Sequence, residues 1–305
     1  MNEDKATRYH RLGRRAAMLS TVGTGLILAG LLFLGGSAAL RDRAASIAGS
    51  SPTLTIAFYI LVLSILIDVA TLPLSYYRGF LLERRYGLST ETRQHWFKDH
   101  VKAVAIGVLF AEAAGVFVYF TLRHWPEWWW LVAGAGYSLV TIVLVNLAPV
   151  VLLPLFFTFK PLQKEVLCDR LQALASKAGT RVMGVYEWTL SDRTKKANAA
   201  LTGIGHTRRI LLSDTLLADY SDDEIEVILA HELAHHVHHD IWSGLAVEAA
   251  LIVAGFFAAD VLLAALWVPL GLAGKDDLAA LPLLLLVGGG LSVLVMPLFN
   301  AFSRA

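Results

Sequence analysis

The stretch ILAHELAHHVHHDIWSG, Ile228 to Gly244, sets five histidines, a glutamate and an aspartate among apolar residues. It leads straight into Leu245–Leu270, an apolar run long enough to cross a bilayer. Just upstream, SDDE places Ser221 at a helix N-cap with Glu224 three residues on, the capping-box pattern. The spacing predicts a helix that opens there and runs through Ile228 and His235. Ile225, Ile228 and Leu229 form its apolar side.

On that helix His231 and His235 share a face, with Cβ atoms about 5–6 Å apart. Two imidazoles so placed can reach one ion at about 2.0–2.1 Å, the usual zinc–nitrogen distance. Glu232 lies a little round the helix, placed to take a proton from water that the ion polarises, without ligating the ion. This is the H-E-x-x-H arrangement of metalloproteases. His236, His238 and His239 read as a solvated or interfacial face. Asp240 either orients a ligand histidine or caps helix contacts. A catalytic zinc takes three protein ligands. Glu224 lies about 10 Å from His231 along the axis, and Glu248 about 20 Å beyond His235. The third ligand therefore comes from another element.

The 305-residue chain is 56% hydrophobic and 17% charged, with a mean hydropathy of +0.58. Soluble domains carry about 25% charged residues. The deficit comes from six predicted spans: Ala16–Leu40, Leu54–Leu74, Ala103–Leu122, Trp130–Leu153, Leu245–Leu270 and Leu278–Phe299. A net charge of +1 gives no reason to expect nucleic acid, and the single cysteine, Cys168, cannot form an internal disulfide. The basic tail and long first span argue against a cleaved signal peptide. The expected domains are a membrane domain at 1–159 with four spans, a catalytic domain at 160–243, and a membrane hairpin at 244–305.

Lysine and arginine favour the cytoplasmic side. The tail and the loop after the second span hold eleven, including Arg8, Arg15, Arg84, Arg85 and Lys102; the opposite loops hold Arg41, Arg43, Arg123 and Lys275. The N-terminus and the 160–243 region are thus expected in the cytoplasm, with Trp125, Trp128, Trp129 and Trp130 at the outer interface. Within 160–243, Leu162–Gly179 reads as a helix, RVMGVYEWTL as a strand, and ANAALTGIGHTRRILLSD as a hairpin. Asp68, Glu112, Asn146 and Asp260 fall inside spans. They either pair between helices or face a water-filled cavity.

The motif HELAHHVHHD resembles the active-site helix of the membrane-embedded zinc metalloendopeptidases that include the type I CAAX prenyl protease and the HtpX-type heat-shock protease. ERRYGLSTETRQHWFKDHVK (Glu83–Lys102), LAPVVLLPLFFTFKPL (Leu147–Leu162), ANAALTG and RRILLSDTLL resemble further parts of that family. The resemblance implies a mainly α fold: a polytopic membrane bundle with a cytoplasmic zincin-like α+β domain. It implies one zinc per chain held by His231 and His235, with Glu232 as general base. It also implies that Asn198 and Ala199 lie on a strand that binds extended peptide, and that a water-filled cavity faced by the acids, as against pairing between helices, would be an intramembrane chamber.

In the family a third ligand, a glutamate, follows a Ser-Arg pair. Ser303 and Arg304 match that pair and the sequence ends at Ala305, so a chain truncated before the third ligand, and inactive as it stands, is expected. Ala234 and His236 depart from the CAAX branch, and Asp240 matches the heat-shock branch. The implied activity is hydrolysis of peptide bonds in peptide or membrane-protein substrates, at the cytoplasmic face of a bacterial inner membrane. A catalytically inactive scaffold that binds peptides or partner proteins is the alternative, and a transporter using Asp68 or Glu112 a third reading.

Overall fold

The computed structural model describes residues 4–49, 51–203, 208–237 and 240–302. Two compact units emerge. The first comprises Met1–Leu82, His100–Ser138 and Glu248–Ala305; the second comprises Glu83–Asp99 and Leu139–Val247.

The first unit is helical. α1 (Lys5–Phe33) and α2 (Gly36–Ala48) are separate helices, which corrects the single span Ala16–Leu40. Gly35 breaks the run with φ 75°, a left-handed conformation that costs glycine no Cβ clash. α3 (Pro52–Tyr76) starts on Ser51, whose hydroxyl accepts the Leu54 N–H, with Pro52 at the first helical position. Pro73 removes one ladder donor inside α3, and Tyr77–Leu82 continue as a π-helical stretch. A single turn, α4 (Glu83–Arg85), precedes α5 (Arg93–His124). α6 (Trp129–Val151), α11 (Asp240–Leu266) and α12 (Leu281–Phe302) complete the long helices.

Among the described residues, four helical segments are long and apolar enough to cross a membrane: Lys5–Phe33, Pro52–Arg85, Arg93–His124 and Gly244–Leu266. Trp129–Val145 and Leu278–Leu294 are shorter apolar helical segments among the described residues. Leu28, Ile56, Tyr59, Tyr119, Trp129 and Leu263 pack the interior of this bundle. Met18, Leu26, Leu109 and Val261 turn outward. An apolar surface on that scale suits lipid, not water.

A buried polar network ties the bundle at one end. Ser37 donates to the Ala279 carbonyl at 2.7 Å and lies 2.6 Å from the Tyr59 hydroxyl. Arg41 Nη1 donates to Asp277 Oδ2 at 2.6 Å, and the Ala273 and Ala279 amides donate to the same carboxylate. Two of the acids expected inside spans are paired. Asp260 accepts from Trp129 Nε1 at 2.7 Å and from Lys275 at 2.8 Å; Asp68 lies 3.1 Å from His100 Nε2. Glu112 Oε2 is buried without a hydrogen-bond partner among the described residues. Asn146 lies on α6.

The second unit is α+β. A further turn, α7 (Leu153–Phe156), leads to β1 (Phe159–Pro161), a strand that sequence patterning does not announce. α8 (Glu165–Lys177), β2 (Val185–Trp188), β3 (Ala199–Thr202), β4 (Arg209–Ser213), α9 (Asp214–Asp219) and α10 (Asp222–Val237) follow. The sheet order is β1-β2-β4-β3. β2 and β4 run parallel; the other pairs are antiparallel. Every residue of β4 from Ile210 to Ser213 is buried, as a central strand requires. β3 and β4 form the expected hairpin, with Ala199 opposite Leu212. Leu167, Leu171 and Ala175 of α8 and Ile225, Leu229 and Leu233 of α10 share one core with these strands.

Candidate active site

α10 forms for local reasons. The Ser221 N–H and hydroxyl both donate to Glu224 Oε2 at 2.8 Å, and the Glu224 N–H returns to the Ser221 hydroxyl. These bonds, the amide foremost, hold the Glu224 carboxyl below its ordinary range. Asp222, Asp223 and Glu224 place negative charge in the first turn, where the helix dipole favours it. Arg170 of α8 clamps the same turn: it donates to Asp223 at 2.6 Å and to Glu226, with Nε at 3.0 Å.

The helix then sorts its side chains. Ile225, Leu229 and Leu233, four apart, are buried. At 100° per residue, His231 and His235 fall about 40° from each other and on the side away from that apolar stripe. His231 is exposed and Glu232 half-buried. His235 continues the same helix one turn on. The helix therefore carries His231, Glu232 and His235 within two turns of a stripe that anchors it in the core. Two nitrogen donors and an adjacent non-ligating acid suit a zinc-type ion. Asp240 opens α11. His238, His239, Ser303 and Arg304 lie outside the described residues.

β3 is the terminal strand of the sheet, and α10 packs beside it. The Ser213 N–H donates to the Asn198 carbonyl at 2.9 Å, and the Asn198 N–H donates to the Ser213 hydroxyl at 2.9 Å. Antiparallel pairs alternate between bonded and non-bonded. Asn198, Ala200 and Thr202 thus face β4 with their main chain, while Ala199 and Leu201 turn their N–H and C=O to the other edge.

Asp214 steadies the loop after β2. It accepts from the amides of Leu190 (2.8 Å) and Thr215 (2.9 Å) and from the Ser191 hydroxyl (2.6 Å). Burial pushes its carboxyl up, but these donors outweigh that and leave it below its ordinary value.

A second group with metal-type side chains stands elsewhere in this unit. Potential ligand atoms of Glu91, His95 and Asp99 lie within 4.8 Å of one another. Arg193 reaches into this group: Nη1 lies 2.5 Å from Asp99 Oδ2 and Nη2 lies 3.5 Å from His95 Nε2. A guanidinium already supplies the cation there. Burial raises the Glu91 carboxyl above its ordinary value. Sequence reasoning missed this cluster, although its spacing, four and four, was visible in TETRQHWFKD.

Comparisons with known proteins bear on this arrangement. Residues 2–158 match the family described as CAAX prenyl protease N-terminal, five membrane helices. Among the described residues of that stretch, Lys5–Phe33, Pro52–Arg85 and Arg93–His124 are long and apolar enough to cross a membrane, and Trp129–Val145 is a shorter apolar helix. Residues 161–305 match peptidase family M48. The metalloprotease YhfN of Bacillus subtilis is 37% identical over 254 residues, covering 81% of this chain and 58% of that protein. CAAX prenyl protease 1 of Saccharomyces cerevisiae is 32% identical over 57% of this chain and 38% of its own length. The chain spans about half the length of the curated relatives it matches. The crystal structure of S. mikatae Ste24p shares the fold, with a TM-score of 0.82 at 21% identity over 98% of this chain and 77% of that one. The chain belongs to the M48 family of membrane metallopeptidases, with the amino-terminal membrane region characteristic of the CAAX prenyl proteases.

Proposed function

We propose that this protein is a zinc-dependent endopeptidase that hydrolyses peptide bonds at the cytoplasmic face of the membrane. One observation supports the reading: on α10, which buries Ile225, Leu229 and Leu233, His231 is exposed and Glu232 half-buried, with His235 one helical turn on. His231 and His235 would hold one zinc per chain, with a third ligand from another element. When bound, the ion supplies Lewis-acid polarisation of water and of the scissile carbonyl. Glu232 accepts the proton as water attacks and delivers it to the leaving amine. The N–H and C=O groups of Ala199 and Leu201 bond an extended peptide as an added strand, and the Asn198 side chain borders it. The region 160–243 is the catalytic domain, between the membrane domain 1–159 and the hairpin 244–305.

The arginine and lysine bias supports the cytoplasmic placement. The substrates proposed are prenylated carboxyl-terminal peptides and damaged membrane proteins in a bacterial inner membrane. Similarity to CAAX prenyl protease 1 of yeast motivates the first.

The test is metal analysis and peptide cleavage by the full-length gene product in detergent. One zinc per chain is expected. Glu232→Gln should keep the zinc and lower kcat by about 10³-fold or more, the scale of a lost general base. A protein without zinc that still captures peptide would replace this reading with the non-catalytic scaffold.

A further inference from the structure

We propose that Arg193 is a positioning residue for substrate binding, one that sets strand β3 through the segment Leu190–Asn198; this rests on the peptidase reading above. Arg193 joins three stretches distant in sequence. Its guanidinium pairs with Asp99 at 2.5 Å and approaches His95 at the start of α5. It donates to the Phe156 carbonyl and lies over the Phe157 ring at 4.5 Å, at the junction after α6. Its own carbonyl accepts from the Thr90 N–H at 3.1 Å and from the Ser89 hydroxyl at 3.0 Å. With 16% of its side chain exposed, this charge is largely withdrawn from water. A half-made set of partners there would be costly.

The neighbours of Arg193 extend the clamp toward β3. The Thr90 hydroxyl donates to the Ser191 carbonyl at 2.7 Å. The Thr194 hydroxyl and the Lys195 N–H both donate to the Leu88 carbonyl at 3.0 Å. Lys196 Nζ lies 3.1 Å from Glu83, and its carbonyl accepts from Thr215 at 2.9 Å. Asn198 is then fixed to Ser213, and β3 begins at the next residue. The main chain from Leu190 to Asn198 therefore has little freedom. Its path sets where the outward N–H and C=O groups of Ala199 and Leu201 stand. The loop Glu83–Asp99 acts as a brace on that path, with Arg193 as its central pin.

A strand that holds peptide equally in ground and transition states affects KM more than kcat. The experiment is steady-state cleavage of an internally quenched peptide by the full-length protein in detergent. Arg193→Met should raise KM about tenfold and leave kcat within about twofold, with zinc stoichiometry unchanged. Arg193→Lys keeps the charge but not the fork, and should fall between wild type and Arg193→Met. Asp99→Asn should raise KM in the same direction. In the double variant the second change should add less than it does alone. If Arg193→Met does not fold, Asp99→Asn decides alone. An unchanged KM in a folded, zinc-loaded variant overturns the proposal, and so does loss of folding in both single variants, which would make the pair structural only. Cleavage that survives Glu232→Gln would overturn the peptidase reading instead.

Discussion

At the start of α5, Glu91, His95 and Asp99 stand four residues apart, and the guanidinium of Arg193 reaches in among them. On α10, His231 and His235 also stand four apart, on a helix that buries Ile225, Leu229 and Leu233. Both helices offer imidazole and carboxylate at one-turn spacing. On α5 a fixed protein cation completes the group, and the result is a brace. On α10 His231 is exposed with His235 one turn on, the pair proposed above as donors to a metal. Spacing along a helix brings candidate ligands together. The cation that the rest of the fold supplies decides whether the group is a joint or a site.

The largest effect that could break this contrast is on metal content. His231→Ala should reduce bound zinc from one per chain to near zero at micromolar free metal. Loss of His231 leaves at most two of the three protein donors a catalytic zinc takes. His95→Ala should leave stoichiometry at one, whatever it does to peptide affinity. Metal analysis after dialysis checks both. Zinc lost from His95→Ala and retained by His231→Ala would exchange the two roles.

A smaller effect tests whether a filled ion pair acts as a joint in the membrane unit as well. Asp277 has 1% of its side chain exposed and Arg41 29%. Burial raises the Asp277 carboxyl, but bonds from the Ala273 amide, Arg41 and the Ala279 amide overcome that and hold it below its ordinary value of 3.8. The hydrogen bond to Asp277 in turn raises Arg41. Arg41→Met leaves this carboxylate without its cation and should cost about 3 kcal/mol. A depressed carboxyl stabilises the fold fully above pH 3.8 and loses that contribution as pH falls through the folded value. The gap in thermal stability between wild type and Arg41→Met should therefore narrow below pH 3.8. A gap of equal size at pH 7 and pH 3 would mean that the pair is not its source.

Much of the α10 face was legible because its signals are local: the capping box, the four-residue histidine spacing and the apolar stripe all lie within sixteen residues. The β3–β4 hairpin was legible for the same reason. The break at Gly35 was not, because a glycine inside an apolar run carries no mark of the φ it adopts. β1 was hidden by its three-residue length and by Pro161, which suits only the margin of a sheet. The Arg193 cluster was the least legible. Its members His95 and Arg193 are 98 positions apart, and only the folded chain joins them. The paired acids tell the same story: sequence left Asp260 open between pairing and a cavity, and only the fold brings Trp129 and Lys275 within bonding distance of it.

The smallest effect asks whether the frame of α10 can be loosened without changing its chemistry. Ser221 accepts the Glu224 amide and gives two hydrogen bonds back to its carboxylate. Ser221→Ala removes the hydroxyl from both arms and should cost about 1 kcal/mol of stability. Glu224→Gln should cost less, since an amide oxygen still accepts the Ser221 N–H. The Glu224 carboxyl sits below its ordinary value of 4.5, so its part of the cap is present above that pH and fades as pH falls through the folded value. His231 lies about 10 Å along the axis from Glu224, with Ile225 and Leu229 holding the intervening turns in the core. Zinc stoichiometry should therefore stay at one in Ser221→Ala while thermal stability drops by a few degrees. Zinc lost with so mild a change would mean that the donor face depends on the helix start, and that packing through Ile225, Leu229 and Leu233 alone does not hold it in place.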